Sequence, residues 1–132
     1  MSNLNDPNVQ ALLSAPNFAV LSTQNGDGTI LSTVVWVEFD DGVLSVNSSV
    51  GRRWPANLEK DPNITLVITN PENAYSFLEV RGTATSTEDG AIDQIHALAH
   101  KYLGTDYPWL QPGEHRVTFT IDPTRVRYVA PR

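Results

Sequence analysis

The chain of 132 residues contains no cysteine. That excludes a disulfide framework, thiolate catalysis and any metal or iron–sulfur centre built on cysteine. No apolar run approaches the ~20 residues that cross a bilayer as a helix. The opening, Met1 to Gln10, is polar and acidic. It has neither the basic segment nor the apolar stretch of a secretory leader, so a cytoplasmic protein with no membrane partner is expected. Cations are missing from a whole stretch: residues 1–51 hold no Lys or Arg, but do hold Asp6, Asp27, Glu38, Asp40 and Asp41. All nine bases follow, and the net charge is −6. Such a surface repels nucleic acid, which needs distributed cations. Also absent are a G-x-G-x-x-G before a helix, a G-x-x-x-x-G-K loop and a G-x-S-x-G elbow. Rossmann-type, P-loop and serine-hydrolase chemistry are therefore not expected.

What is present suits one folded domain over residues 1–132, with 40% hydrophobic residues. Asn5 or Asp6 can cap a first helix, Pro7 suits its first turn, and Val9, Leu12 and Leu13 form its apolar stripe. Strands are expected over Phe18–Thr23, Thr29–Phe39, Val43–Ser48, Ile64–Thr69, Ser76–Thr85, Arg116–Ile121 and Arg125–Val129. Asn25-Gly26 and Asp27-Gly28 mark a turn, and Gly82 a bulge. Glu38, Asp40 and Asp41 read as a solvated hairpin end. Asp122-Pro123 reads as a turn between the last two strands. Arg53–Lys60 reads as a short helix stopped by Asp61-Pro62. A longer helix is capped by Ser86 or Thr87, carries Glu88 and Asp89 in its first turn, and ends at Leu103 before Gly104. Its buried face is read as Ile92, Ile95, Leu98 or Ala99, and Tyr102. The sum is a mainly β protein: a six- to seven-stranded antiparallel split β-barrel with two or three peripheral helices. Both faces of the Thr29–Phe39 strand are largely apolar, which asks for a second cover, either helices or a partner subunit in a homodimer.

The chemistry concentrates in Ser48-Ser49-Val50-Gly51-Arg52-Arg53-Trp54-Pro55. Leu44 and Val46 point to the core, with Ser45 and Asn47 on the other face. Gly51 permits a tight turn, and Pro55 sets a helix start near Arg53 or Trp54. Free N–H groups there, the hydroxyls of Ser48 and Ser49, and two guanidinium groups make a phosphate cradle. Cations at a helix N-terminus oppose the macrodipole by some tenths of a kcal/mol to about 1 kcal/mol, so the pair makes sense with an anion present. The plain alternative pairs them with Glu59, Asp61 or Glu79. Elsewhere, His96 and His100 stand four apart on the long helix with no third ligand or base, so no metal is expected. His115 reads as a loop residue. Trp36, Tyr107, Trp109 and Tyr128 can stack on a ring or simply pack.

The order of these parts resembles the flavin and deazaflavin split-barrel family related to pyridoxine 5′-phosphate oxidase. The markers are Phe18-Ala19-Val20-Leu21-Ser22-Thr23 before the Gly-rich turn, Val35-Trp36-Val37-Glu38-Phe39, and Gly51-Arg52-Arg53…Asn57-Leu58 before Asp61-Pro62. Further markers are Leu78-Glu79-Val80-Arg81-Gly82 with Ala84, Tyr102-Leu103-Gly104…Tyr107, and Asp122-Pro123-Thr124-Arg125-Val126. The chain is most similar to the actinobacterial subgroup that uses the 5-deazaflavin coenzyme F-420. The resemblance implies an F-420-dependent homodimeric oxidoreductase, with hydride passing between reduced deazaflavin and a small conjugated or electron-poor acceptor. It implies that Ser48, Gly51, Arg52 and Arg53 hold phosphate, that Ser32, Thr33, Val34 and Val35 line the ring, and that Asn57 braces the following helix. Tyr75, Phe77, Tyr107 and Trp109 are implied on the substrate side. Trp54 stands where many relatives have Lys, and packs on cofactor or barrel instead. The alternatives are an FMN-dependent oxidoreductase of the same fold and a non-enzymatic carrier or sensor of flavin, deazaflavin or haem. F-420 carries a charged tail, for which Arg81, Arg125 and Arg127 are available.

Overall fold

A computed structural model describes residues 3–132. Among these residues are three helices, α1 (Pro7–Ser14), α2 (Arg53–Lys60) and α3 (Ala91–Leu103), and seven strands. These are β1 (Ala19–Gln24), β2 (Ile30–Val35), β3 (Glu38–Asp40), β4 (Val43–Ser49), β5 (Asn63–Asn70), β6 (Asn73–Thr87) and β7 (Arg116–Val129). All pairings are antiparallel, in the order β2-β1-β5-β6-β7-β4-β3. The two edge strands, β2 and β3, are consecutive in sequence and joined only by Trp36 and Val37. The sheet is therefore curled, as a split barrel, with that dipeptide at the seam.

This corrects the single strand expected over Thr29–Phe39. The break follows from where the Val37 backbone finds its partners. Its N–H donates to the Tyr102 hydroxyl at 3.1 Å, and its carbonyl accepts from Lys101 Nζ at 2.7 Å. Both side chains come from α3 and replace a ladder. Tyr102 donates onward to the Asn17 carbonyl, and Lys101 also reaches the Leu13 carbonyl. Trp36 stacks on the Tyr102 ring, 5.2 Å between centroids. Burial pushes the Lys101 ammonium below its ordinary pKa, against the attraction of Glu38. Burial pushes the Tyr102 phenol up, against the Val37 hydrogen bond.

Alternation along the strands builds the core. Ala19 and Leu21, Leu44 and Val46, Leu66 and Ile68, and Leu78 and Val80 all point inward and are buried. α1 plugs the barrel with Val9, Leu12 and Leu13, each fully buried side chain contributing roughly 1.5–3 kcal/mol. Its start is set by Asp6, which accepts the Asn8 N–H at 2.9 Å, with Pro7 following. The opposite face of β4 is also covered. Asn47 donates to Gln94 Oε1 and to the Ala91 carbonyl, and Gln94 donates to Ser45. Among the described residues, no helix is long and apolar enough to cross a membrane.

Two further expectations are corrected. β7 is one strand, with no turn at Asp122-Pro123. The register slips instead, so that Arg81 faces Arg125 while Gly82 faces Pro123. Proline offers no N–H to the ladder, and Gly82 gives it room: a Cβ there would lie 2.3 Å from the Asp122 carbonyl oxygen. α3 begins at Ala91 after Gly90, which has φ 73°, and has no side-chain cap. Thr87 accepts the Asp89 N–H in the turn before it. Within α3, Ile92 is exposed, and Ala91, Ile95, Leu98 and Ala99 are buried. Gly104 closes the helix at φ 79°, as its position implies.

Candidate cofactor cleft

A cleft of about 240 Å³ opens between β2, the β4–α2 turn and the loop after α3. β2 contributes Thr33, Val34 and Val35. The turn contributes Ser48, Arg52 and Trp54, and the loop contributes Tyr107 and Trp109.

The turn is built locally. Gly51 takes φ 104°, a conformation that favours glycine. Val50 N–H donates to the His115 carbonyl at 2.8 Å, tying the turn to the start of β7. Arg52 is the N-cap of α2 and provides no side-chain cap. The first N–H groups of α2 are thus left for another acceptor. Asn57 is buried and donates to Thr23 Oγ1 at 3.1 Å and to Asn25 Oδ1 at 2.9 Å. It clamps α2 to the β1–β2 hairpin and braces the helix. Trp54 is 7% exposed, packs against Phe119 at 5.4 Å between ring centroids, and also lines the cleft.

Ser48 stands out electrostatically. It is 1% exposed, and its Oγ is the buried side-chain polar atom without a hydrogen-bond partner among the described residues. An unmatched buried hydroxyl costs about 1–3 kcal/mol. Ser49, next to it, is satisfied by donating to Glu114. Neither Arg52 nor Arg53 joins an ion pair among the described residues. The pairing with Glu59, Asp61 or Glu79 is therefore not formed, and Glu79 instead takes Arg81 and Arg127 at 3.4 Å.

The structure divides the expected site residues. Arg52 faces the cleft, whereas Arg53 faces a separate depression beside Asn25, Asp27 and Lys60. Gly51 lines a third depression with Pro55 and Glu59. Ser32 points to the outer face and pairs with the Ser22 hydroxyl at 2.9 Å. Tyr75 and Phe77 also lie outside the cleft. Arg132 sits over the Tyr75 ring and Arg127 over that of Phe77. Tyr128 packs against the core.

The aromatic loop is held by the two helical histidines. His96 Nδ1 accepts the Tyr107 N–H at 3.0 Å, and His100 Nε2 meets Asp106 at 2.6 Å. The His100 hydrogen bond holds the Asp106 carboxyl below its ordinary pKa. The Tyr107 ring stands nearly perpendicular to those of both Trp36 and Trp109, at 6.2 and 5.5 Å between centroids. No group of three or more metal-ligating side chains occurs among the described residues. His115 lies at the surface beside Glu88 at 3.4 Å.

Sequence reasoning missed Arg116 and Phe18, which also line the cleft. Arg116 is 4% exposed. Its Nε donates to Asn47 Oδ1 at 3.0 Å and its Nη1 to Glu114 at 2.6 Å. Burial alone would raise the Glu114 pKa. The hydrogen bonds from Ser49, Arg116 and the Gln111 N–H, with the Arg116 charge, outweigh it and hold Glu114 at about 2. Glu114 two residues before Arg116 was the available signal, but nothing local showed that both turn inward.

The model of the pyridoxamine 5′-phosphate oxidase family matches residues 6–130. None of the proteins of curated function matches the chain in sequence. Among solved structures, an F420 reductase is similar with a TM-score of 0.78 and 27% identity, covering 89% of this chain and 94% of that one. A putative pyridoxamine 5′-phosphate oxidase from Listeria innocua has a TM-score of 0.73 at 21% identity, covering 96% and 98%. General stress protein 26 from Bacillus anthracis has 0.71 at 21%, covering 93% and 92%. The last two are likenesses of fold.

Proposed function

Because the chain belongs to the pyridoxamine 5′-phosphate oxidase family, whose members bind flavins, we propose that its cleft holds a phosphorylated flavin-type cofactor, coenzyme F-420 first among them. The observation that carries this is the Ser48 hydroxyl, buried and without a partner at the wall of the cleft. A ligand oxygen there would satisfy it. Arg52, free of any ion pair among the described residues, adds charge beside the open N-terminus of α2. Thr33, Val34 and Val35 offer an edge strand to a flat ring, and Trp54 and Tyr107 line the same cleft. A reduced deazaflavin held there would supply hydride chemistry towards an electron-poor acceptor. This chain's residues bind it, orient it and keep water from the ring. F-420 is preferred to FMN on the 27% identity to the F420 reductase.

A haem carrier is disfavoured by the histidines. His96 and His100 anchor the aromatic loop, and none of the three lines the cleft. The working unit of this reading is a homodimer. Phe18, Val20, Ile30 and Val34 are 43–63% exposed on one side of β1 and β2, and Phe18 and Val34 border the cleft as well. A second copy laid on that face would cover it and close the cleft.

The test is a titration of the purified protein with F-420 and, in parallel, FMN, followed by fluorescence. Tight F-420 binding with weak FMN binding supports the reading. Tight FMN binding alone transfers it to FMN, and binding of neither overturns it.

A further inference from the structure

Arg116 and Arg52 both reach the cleft, but they offer different chemistry. Arg52 brings an unbalanced charge. Arg116 does not, because Glu114 is in contact with it and stays ionised down to about pH 2. The side chains of the pair are 2% and 11% exposed, so solvent screens them little. Arg116 is also fixed in position: Nε is spent on Asn47, Nη1 on Glu114, and the guanidinium lies 5.1 Å from the centroid of the Tyr107 ring. Its Nη2 makes no hydrogen bond among the described residues. It belongs to a side chain that lines the cleft. A clamped guanidinium with one free donor edge and a cancelled charge suits an uncharged oxygen acceptor. An anion at the same place would meet the Glu114 carboxylate without a net cation to offset it.

We propose that Arg116 is a ligand-binding residue of this cleft, taking a carbonyl oxygen of an uncharged acceptor, and that Glu114, by neutralising it, discriminates against anionic ones. The inference rests on the cofactor reading only in supposing that the acceptor shares the cleft. The site then has two poles: an anion pole at Ser48 and Arg52, and a neutral carbonyl pole beneath Tyr107. Tyr107 adds a ring face against which a flat acceptor can pack. Glu114 is a positioning and charge-balancing residue, and it touches Arg116 rather than the ligand.

The experiment compares two flat probes that differ in charge, 2-methyl-1,4-naphthoquinone and 1,4-naphthoquinone-2-sulfonate. Binding is followed by quenching of tryptophan fluorescence, Trp36 and Trp109 being at the cleft. The host is the full chain carrying Arg52→Ala, so that the sulfonate is not drawn to the other pole. The host should bind the uncharged quinone at least ~10-fold more tightly than the sulfonate. Adding Glu114→Gln, which keeps the shape but unmasks the guanidinium charge, should shrink that ratio by about 10-fold. Adding Arg116→Met should weaken quinone binding by about 10-fold. Equal affinities in the host overturn the proposal, as does a ratio unchanged by Glu114→Gln in a chain with a native circular dichroism spectrum. The arms need no cofactor. A wild-type chain that binds neither F-420 nor FMN but whose host keeps the charge-dependent ratio would overturn the cofactor reading and leave Arg116 standing.

Discussion

The hydroxyl of Tyr102 accepts the N–H of Val37 across 65 residues of sequence, at 3.1 Å, in the gap where the sheet has no ladder. The same oxygen donates to the Asn17 carbonyl at 2.7 Å. One side chain thereby holds the seam between β2 and β3. Tyr102→Phe keeps the ring on Trp36 and removes only the oxygen. It should lower stability by about 1–3 kcal/mol, read from the urea midpoint, because the Val37 N–H and the Asn17 carbonyl lose their partner. An unchanged midpoint would mean that water replaces the hydroxyl at no cost.

Gly82 should tolerate no side chain. A Cβ would meet the Asp122 backbone oxygen at 2.3 Å, and backbone does not step aside as a flexible side chain can. Gly82→Ala should cost roughly 1–3 kcal/mol or more, measured by chemical denaturation. Gly26 has open space around its Cβ direction and a φ below zero or extended, so Gly26→Ala is the matched control with little effect.

Acid should loosen the Glu114 pair. The folded pKa, at about 2, lies below the ordinary carboxylate value, so the unfolded chain binds more protons between the two. The stabilisation is present above the ordinary value, 4.5, and is lost as pH falls from there towards about 2. Urea midpoints measured across that window should fall, and Glu114→Gln should flatten this part of the slope. A slope unchanged by the substitution would place the acid sensitivity elsewhere.

The exposed apolar side of β1 and β2 should carry the subunit contact. Val34 is 63% exposed there and pairs across the strands with Val20. Val34→Arg should shift the protein to monomer in sedimentation without altering its circular dichroism. A wild-type chain that is monomeric at high concentration would contradict the dimer.

Legibility followed how local each feature is. α1 was readable because Asp6, Pro7 and the Val9-Leu12-Leu13 stripe lie within eight residues. α2 was readable because Arg53–Lys60 lies between Gly51 and Asp61-Pro62. That Ser48, Arg52 and Trp54 share a cleft was readable for the same reason, since they are neighbours in the chain. The break at Trp36–Val37 was not, because both residues fit a strand and their partners, Lys101 and Tyr102, belong to a distant helix. Nor did the sequence tell Arg52 from Arg53, because a helix start turns adjacent side chains to different sides. Arg116 was hidden because Asn47, Glu114 and Tyr107 meet around it only in the folded chain.

The most direct test sets cofactor affinity against stability at Ser48. Ser48→Ala removes a buried hydroxyl that has no partner among the described residues. It should therefore leave the urea midpoint unchanged or raise it, by up to about 1 kcal/mol, while weakening F-420 binding by about 10-fold in a fluorescence titration. Arg52→Ala should weaken binding at least as much. Undiminished F-420 affinity in both variants would contradict the account, because the anion would then be held somewhere other than the Ser48–Arg52 pole.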